Sequence, residues 1–321
     1  MTTNVAIACQ GGGSHTAFTA GVLKRLLTEV DAADEYELVS LSGSSGGAVC
    51  ATAAWFGLVS DDHTPESVLD DLWADIAASS LFERATNDWL VWTTMLDASG
   101  FPTAQVSPYQ NPFADQAQQA FQDLLERHVD FERFGDLATE DTPRLTVGTV
   151  DVTAGQFETF TDESVDSLAL LASSAVPTLY PAVEIHGHTH WDGLFAHNPP
   201  IRDLFDVPPE HKPDELWLVQ INPQRVDDDP TGLREIYDRR TELSANISLT
   251  EQLHFVEQVN EWLDAGHLPE AEYRHTEIHR IELQKQLSVS SKFDRSPGFI
   301  EDLQNRGVER AQSFLENRAI D

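Results

Sequence analysis

Lysine is almost missing from this 321-residue chain: Lys24, Lys212, Lys285 and Lys292 are the only four. With 20 basic residues against 54 acidic ones, the formal net charge is −34. That balance excludes nucleic acid as a partner, because its phosphates are held by clustered Lys and Arg. The acidic residues are spread along the chain between apolar ones, which excludes a disordered acidic tail. A compact body of this charge repels itself in dilute buffer. At about 1 M salt the Debye length shrinks to ~3 Å and the repulsion is screened. The composition therefore points to a halophilic source that accumulates salt in its cytoplasm; an ordinary acidic mesophilic protein is the plainer alternative, which the scarcity of lysine disfavours. The same screening leaves an anionic lipid surface open as a partner.

Cysteine is nearly as scarce. Cys9 and Cys50 are the only two, and neither belongs to a CxxC pair, which excludes a disulfide framework and a zinc-ribbon type of site. Both read as buried structural thiols; a bridge between them is the less favoured alternative in a reducing compartment. No stretch approaches the ~20 apolar residues that a membrane span needs. The best candidate, Gly46–Val59, reads as a buried helix. Residues 1–10 have neither a basic region nor an apolar signal core, so a cytoplasmic location is expected. There is no internal repeat, low-complexity tract or linker, and no metal or cofactor is expected.

What is present is an alternation of strands and helices. Residues 4–9 (NVAIAC) form a β-branched run that ends at glycines. Residues 14–30 carry Phe18, Val22, Leu26 and Val30 at a spacing of four, one face of a helix. Residues 36–41 read as a second strand and Gly46–Val59 as a second helix. Two β-α units in sixty residues predict a parallel α/β core. Residues 65–129 are helical, acidic and rich in tryptophan, with an irregular loop over 97–113. Further strands are predicted at 144–152, 156–161, 215–222 and 277–283. A hairpin is predicted around Gly187, and helices at 168–175, 231–263 and 298–317. Trp73, Phe82, Trp89, Trp92, Met95 and Phe101 would suit an acyl-binding or docking face. At helical spacing the favoured reading is the core of a helical insertion.

Three motifs carry chemistry. Gly43-Ser44-Ser45-Gly46-Gly47 fits G-x-S-x-G between a strand and a helix. A nucleophile on such a turn sits on strained backbone, needs small residues two positions either side, and lies at a helix N-terminus that favours an oxyanion. The spacing selects Ser45; Ser42 and Ser44 lack the paired glycines. The plainer reading is a tight βα turn. Gln10-Gly11-Gly12-Gly13-Ser14-His15 ends the first strand, and consecutive glycines expose several N–H groups to an anion or oxyanion. The phosphate-loop pattern G-x-x-x-x-G-K-[ST] is absent, and the last glycine of G-x-G-x-x-G is missing. Trp191-Asp192-Gly193, followed by Ala196-His197-Asn198-Pro199-Pro200, places a carboxylate at a strand end, though an Asp-Gly turn is a common outcome. The run His186, His188, His190 has a metal site as its sharp reading. If Gly187 turns the chain, the three do not share a face, and a polar hairpin in which His190 tunes Asp192 is favoured.

In order and spacing these motifs resemble the patatin-like phospholipase family. Ser174-Ala175-Val176-Pro177 and the SKFDRSPG stretch at 291–298 also look familial. The resemblance covers most of the chain. It implies an α/β three-layer fold with a mainly parallel sheet, a single domain over 1–321, and a helical insertion at about 60–140. It further implies a Ser–Asp dyad without histidine, formed by Ser45 and Asp192, with Gly43 and Gly47 shaping the elbow and oxyanion donors on Gly11, Gly12 and Gly13. The expected substrates are water-insoluble acyl esters, phospholipids and other lipids, met at a membrane surface. Similar proteins of halophilic archaea include depolymerases of intracellular polyhydroxyalkanoate granules, which makes a polyester the alternative substrate. A non-catalytic lipid- or granule-binding protein is a second alternative. A Ser-His-Asp triad is the rival chemistry, with His254, His267, His275 and His279 downstream. Its elbow normally follows several strands, whereas Ser45 has room for only one before its own. The chain departs from the family pattern where His15 and Thr16 replace Arg/Lys and Gly, and where Leu194 follows Asp192-Gly193. Altered loop packing or substrate shape is expected there rather than lost chemistry.

The melting temperature is expected to climb between dilute buffer and molar KCl, followed by circular dichroism; an unshifted curve contradicts the screening account.

Overall fold

A strand buried on both faces must alternate between two cores, and the first strand does so. Val5, Ile7 and Cys9 join one apolar cluster, while Ala6 and Ala8 join another. The computed structural model describes residues 2–32, 35–78, 107–177, 179–226, 229–285 and 287–318. In chain order its elements are β1 (Thr3–Cys9), α1 (Ala17–Ala32), β2 (Tyr36–Ser44), α2 (Gly46–Val59), α3 (Pro65–Ile76), α4 (Ala114–His128), α5 (Phe134–Leu137), β3 (Arg144–Asp151), β4 (Gln156–Thr161), α6 (Ser167–Ser173), β5 (Val183–Ile185), β6 (His188–Asp192), β7 (Glu215–Gln220), α7 (Leu233–Asp264), β8 (Glu277–Glu282) and α8 (Pro297–Arg318).

The strands form one eight-stranded sheet in the order β5-β6-β3-β2-β1-β7-β8, with β4 also paired to β3. Five neighbours, β3-β2-β1-β7-β8, are parallel; β4, β5 and β6 pair antiparallel at one side. This is the mixed α/β architecture with a mostly parallel sheet that the resemblance implies. One face is covered by α1, α2 and α8, whose Phe18, Val22, Leu26, Trp55, Leu303 and Ala311 pack with Trp217 and Val219 of β7. Fully burying side chains of this size stabilises by roughly 1.5–3 kcal/mol each. Across the sheet, Leu216 and Leu218 meet Leu249, Leu253 and Val256 of α7.

The parallel strands all run the same way, so the segments after β1, β2 and β7 gather at one edge, where open α/β sheets place their sites. Helix α1 begins three residues later than its apolar spacing predicts. Gly13 has φ 59° and starts a 3-10 turn, Gly13–Thr16. In that turn Thr16 Oγ1 donates to the Gly13 carbonyl at 2.7 Å, which turns the glycine loop toward the sheet edge before the α-helix starts. The predicted hairpin is present. His186 and Gly187 form its two-residue turn with φ 51° and 84°, the positive pair that type I′ turns require.

Trp73 lies in the main core with Val68, Leu69 and Leu72 of α3. Phe82, Trp89, Trp92, Met95 and Phe101, and residues 97–106 of the predicted loop, lie outside the described residues. Cys9 and Cys50 are buried and free, and burial pushes the Cys50 thiol up to about 12. Among the described residues no helix is long and apolar enough to cross a membrane.

Candidate active site

Ser45 stands between β2 and α2 with φ 55° and ψ −136°, a backbone conformation that side chains other than glycine occupy at a penalty. The surroundings leave it little choice. A Cβ on Gly43 would lie 2.5 Å from the Ala48 nitrogen, and one on Gly47 would lie 2.2 Å from the Cys9 carbonyl oxygen. Both positions are therefore restricted to glycine by backbone approaching backbone. The Ser45 amide donates to Ser173 Oγ at 2.8 Å, and Ser173 passes its own proton to the Gly148 carbonyl at 2.8 Å. The elbow is thus clamped from α6 and β3, and its own N–H is spent on that clamp.

The glycine loop lies against the elbow. Gly11 differs from the expectation that it donates to an oxyanion. Its N–H is taken by Asn198 Oδ1 at 2.6 Å, and its carbonyl accepts from Asn198 Nδ2 at 3.2 Å and Asn222 Nδ2 at 3.1 Å. A Cβ there would meet the Ser44 carbonyl oxygen at 2.2 Å and Ser45 Cβ at 2.7 Å. Gly11 is a packing residue that lets the loop touch the serine. Gly12 and Gly13 keep their amides: no acceptor among the described residues takes either N–H. Two donors beside Ser45 therefore remain uncommitted.

Asp192 ends β6 and is fully buried. Its Oδ1 accepts from the Leu194 amide at 2.9 Å, while Oδ2 has no hydrogen-bond partner of ordinary length. Burial drives its pKa from 3.8 up to about 7; the Ser45 hydroxyl, the Leu194 amide and the charge of Lys292 oppose the rise. The structure thus brings residues 45 and 192 together, with Oδ2, which no backbone amide takes, left to the serine hydroxyl. Hydrogen bonds at such sites commonly tighten only when substrate is bound. Among the described residues no histidine hydrogen-bonds Ser45 or Asp192. Of the histidines a triad would draw on, His279 is engaged on β8 with Arg318, and His254, His267 and His275 are exposed.

The departures from the family pattern have local explanations. Leu194 contributes its backbone N–H to Asp192, a task that any side chain permits. His15 is buried, and its pKa falls from 6.5 to about 3, chiefly by burial and then by the charge of Lys292. The ring is therefore neutral. Ser291 Oγ gives its proton to the Ser288 carbonyl at 2.6 Å, so His15 Nε2, 2.8 Å away, is the donor to Ser291. The cation beside the loop comes instead from Lys292, whose Nζ donates to Asn222 Oδ1 at 3.0 Å and lies 3.8 Å from Glu242 Oε1. Motif reading does not single out Lys292, Asn222 or Ser173. Their only signals are that Lys292 is one of four lysines and sits in the SKFDRSPG stretch.

A carboxylate that ionises near pH 7 when folded but at 3.8 when unfolded favours the unfolded chain at high pH. Its penalty is absent below about pH 4, grows as pH rises, and is complete above about 7. Asp192→Asn removes that penalty. The variant is expected to be more stable than the parent at pH 8, by on the order of 2–4 kcal/mol, with the gap closing toward pH 4. Denaturant melts at both pH values measure it; a variant less stable at pH 8 would contradict the burial cost.

No curated protein matches the chain. Among solved structures, VipD from Legionella pneumophila is similar at 12% identity and a TM-score of 0.47, covering 98% of this chain and 67% of that one. The heterodimeric ExoU–SpcU complex from the type III secretion system of Pseudomonas aeruginosa is similar at 13% identity and a TM-score of 0.36, covering 99% and 52%. This chain therefore spans about two thirds of the first and about half of the second. The family model for patatin-like phospholipase matches residues 7–205, well over half of the sequence, so the chain belongs to the patatin-like phospholipase family, whose members are lipid acyl hydrolases.

Proposed function

We propose that this chain hydrolyses water-insoluble carboxylic esters with a Ser45–Asp192 dyad. The observation that carries the reading is a fully buried carboxylate, half-ionised near pH 7, whose open oxygen is next to a serine on strained backbone. Asp192 takes the Ser45 proton as Oγ attacks the ester carbonyl carbon. The amides of Gly12 and Gly13 hold the oxyanion. The intermediate collapses, the C–O bond to the alcohol breaks, and Asp192 returns its proton to the leaving oxygen. Water then gives a proton to Asp192 and attacks the acyl-enzyme; the acid departs and Ser45 regains its hydrogen.

A water-insoluble substrate is supported by what surrounds the site. Phe195, in the turn after Asp192, is 38% exposed, and Leu243 and Ile247 of α7 are 38% and 55% exposed. Ser244 Oγ donates to the Phe195 carbonyl at 3.4 Å, so this apolar rim is joined to the turn that carries the base. Phospholipid and intracellular polyester granules both present such esters. A cytoplasmic, peripherally associated enzyme would meet either.

Ser45→Ala and Asp192→Asn are each expected to lower turnover roughly 10³-fold or more while retaining the fold. Assays in molar salt use p-nitrophenyl esters, phospholipid vesicles and native granules, and a fluorophosphonate probe should label Ser45 in the parent only. Unlabelled parent protein would favour the non-catalytic binding role. A second expectation concerns pH. Activity needs Asp192 ionised, so it rises with pH through the carboxyl's pKa. Removing a cation raises that pKa, so Lys292→Met moves the acid limb of kcat/KM upward by roughly half to one pH unit, and Lys292→Arg restores it. An unmoved limb would separate Lys292 from the base.

A further inference from the structure

The β5–β6 hairpin carries a second constellation of chemical groups that the dyad does not use. In β6, residues 188, 190 and 192 share one face because side chains alternate along a strand. Register places Asp151 opposite His190, and Thr149 opposite both Asp192 and Glu158. Asp151, Glu158, His188 and His190 therefore sit on the face that also bears Asp192. His186, in the turn, does not belong to it. His188 Nδ1 is 2.8 Å from Asp151 Oδ2, and His190 Nε2 is 2.8 Å from Glu158 Oε2. One donor atom each from Asp151, Glu158 and His190 lie within 4.8 Å of one another.

Three features set this cluster apart from a chance group of surface charges. Asp151 and His190 are buried, 4% and 1% exposed, so their donor atoms are held in place. Asp151 Oδ1 is fixed by the Thr153 amide at 2.9 Å, Thr153 Oγ1 at 2.8 Å and the Ala154 amide at 2.9 Å. That outer ring of donors orients Oδ2 inward, as the supports of metal ligands do. Finally, neither carboxylate is paired with lysine or arginine among the described residues. The other mixed cluster, Glu215, Glu277 and His279, differs here, because the Arg318 guanidinium contacts both Glu215 and His279.

We propose that Asp151, Glu158 and His190, completed by His188, bind one divalent transition-metal ion of the Zn²⁺ class. Imidazole nitrogens and carboxylates suit this class and disfavour Ca²⁺ and Mg²⁺, which take oxygen ligands. Ligand atoms about 2.0–2.2 Å from such an ion stand roughly 3.4 Å apart in a tetrahedron, so the two 2.8 Å pairs open and the longer separations close, which half-exposed Glu158 and exposed His188 permit. The ion ties β3, β4 and β6 together two strand positions before Asp192. It is a structural clamp for the strand that carries the base, and it stands independently of whether Ser45 is a nucleophile.

The test uses the full chain, purified without a histidine tag, titrated with Zn²⁺ by calorimetry in molar KCl at pH 7.5. One tight equivalent is expected. Glu158→Gln, at a half-exposed position that spares the fold, should weaken it by at least about tenfold, as should His190→Gln. His186→Gln, in the turn, should leave it unchanged. Circular dichroism of each variant in EDTA reports folding. Absence of a stoichiometric site in the folded parent, equal binding by Glu158→Gln, or equal competition by Ca²⁺ would overturn the assignment.

Discussion

The constraint on which the site depends is a carboxylate placed where water cannot reach it. Asp192 has one oxygen held by a backbone amide and the other without a partner. Such a group is tolerated only because the surrounding sheet over-determines its position. Its own amide donates to the Ala175 carbonyl at 3.1 Å, and β6 is pinned between β3 and β5. A fully satisfied carboxylate would be more stable and a weaker base. Leaving Oδ2 open keeps proton affinity near neutrality, where a general base works best. The serine shows the same trade. Its positive φ is imposed by two glycine contacts and a hydroxyl clamp, so the strain resides where the hydroxyl must project.

Around these two residues the structure is rich in side-chain amides. Gln10 Oε1 accepts from the Ile221 and Asn222 amides at 3.0 and 2.8 Å, and its Nε2 donates to Asn246 Oδ1 at 3.0 Å. Asn198 and Asn222 grip Gly11 from both sides. These neutral side chains join β1, β7, α7 and the segment after Asp192 without adding charge to a crowded low-dielectric site. Their effect is to hold Gly11 in contact with Ser44 and Ser45, so that the two residues after it present free N–H groups. Fixing the loop in advance is what makes oxyanion stabilisation effective, because nothing need reorganise as charge develops.

Much of this was legible in residue order. The apolar spacing at Phe18, Val22 and Leu26, the glycines flanking Ser45, and the Asp-Gly pair at 192 all act locally, through backbone sterics and periodicity, and the observed elements follow them within a few residues. The glycine loop was legible as a feature but not in its division of labour. Whether an amide faces an oxyanion or an asparagine 187 residues away depends on tertiary contacts that no local pattern encodes. The same holds for Lys292, which reaches the site from the far end of the chain, and for Ser173, whose clamp on the elbow looks in sequence like the end of a short helix. The histidine run was legible only halfway. Gly187 does turn the chain and removes His186, but the strand that follows returns His188 and His190 to a common face, and their carboxylate partners come from a different hairpin.

The charge of the whole molecule gives these few cations their weight. Each of the four lysines is tied to a specific acceptor: Lys24 to Asp70, Lys212 to the Phe205 carbonyl, Lys285 to Asp302 and Lys292 to Asn222. Three of them fasten elements distant from the dyad, so the positive potential at Asp192 rests on Lys292. In molar salt, surface charges beyond a few ångströms are screened from one another, whereas a partly buried ammonium close to a buried carboxyl is not. A chain this acidic can therefore cover its exterior with carboxylates and still set the proton affinity of one internal carboxylate, provided that the group doing so is close, enclosed and held in place. Asn222, together with the Glu242 carboxylate 3.8 Å away, holds Lys292 there. It accepts from Lys292 with its oxygen and donates to Gly11 with its nitrogen, linking the cation that tunes the base to the loop that shapes the oxyanion site.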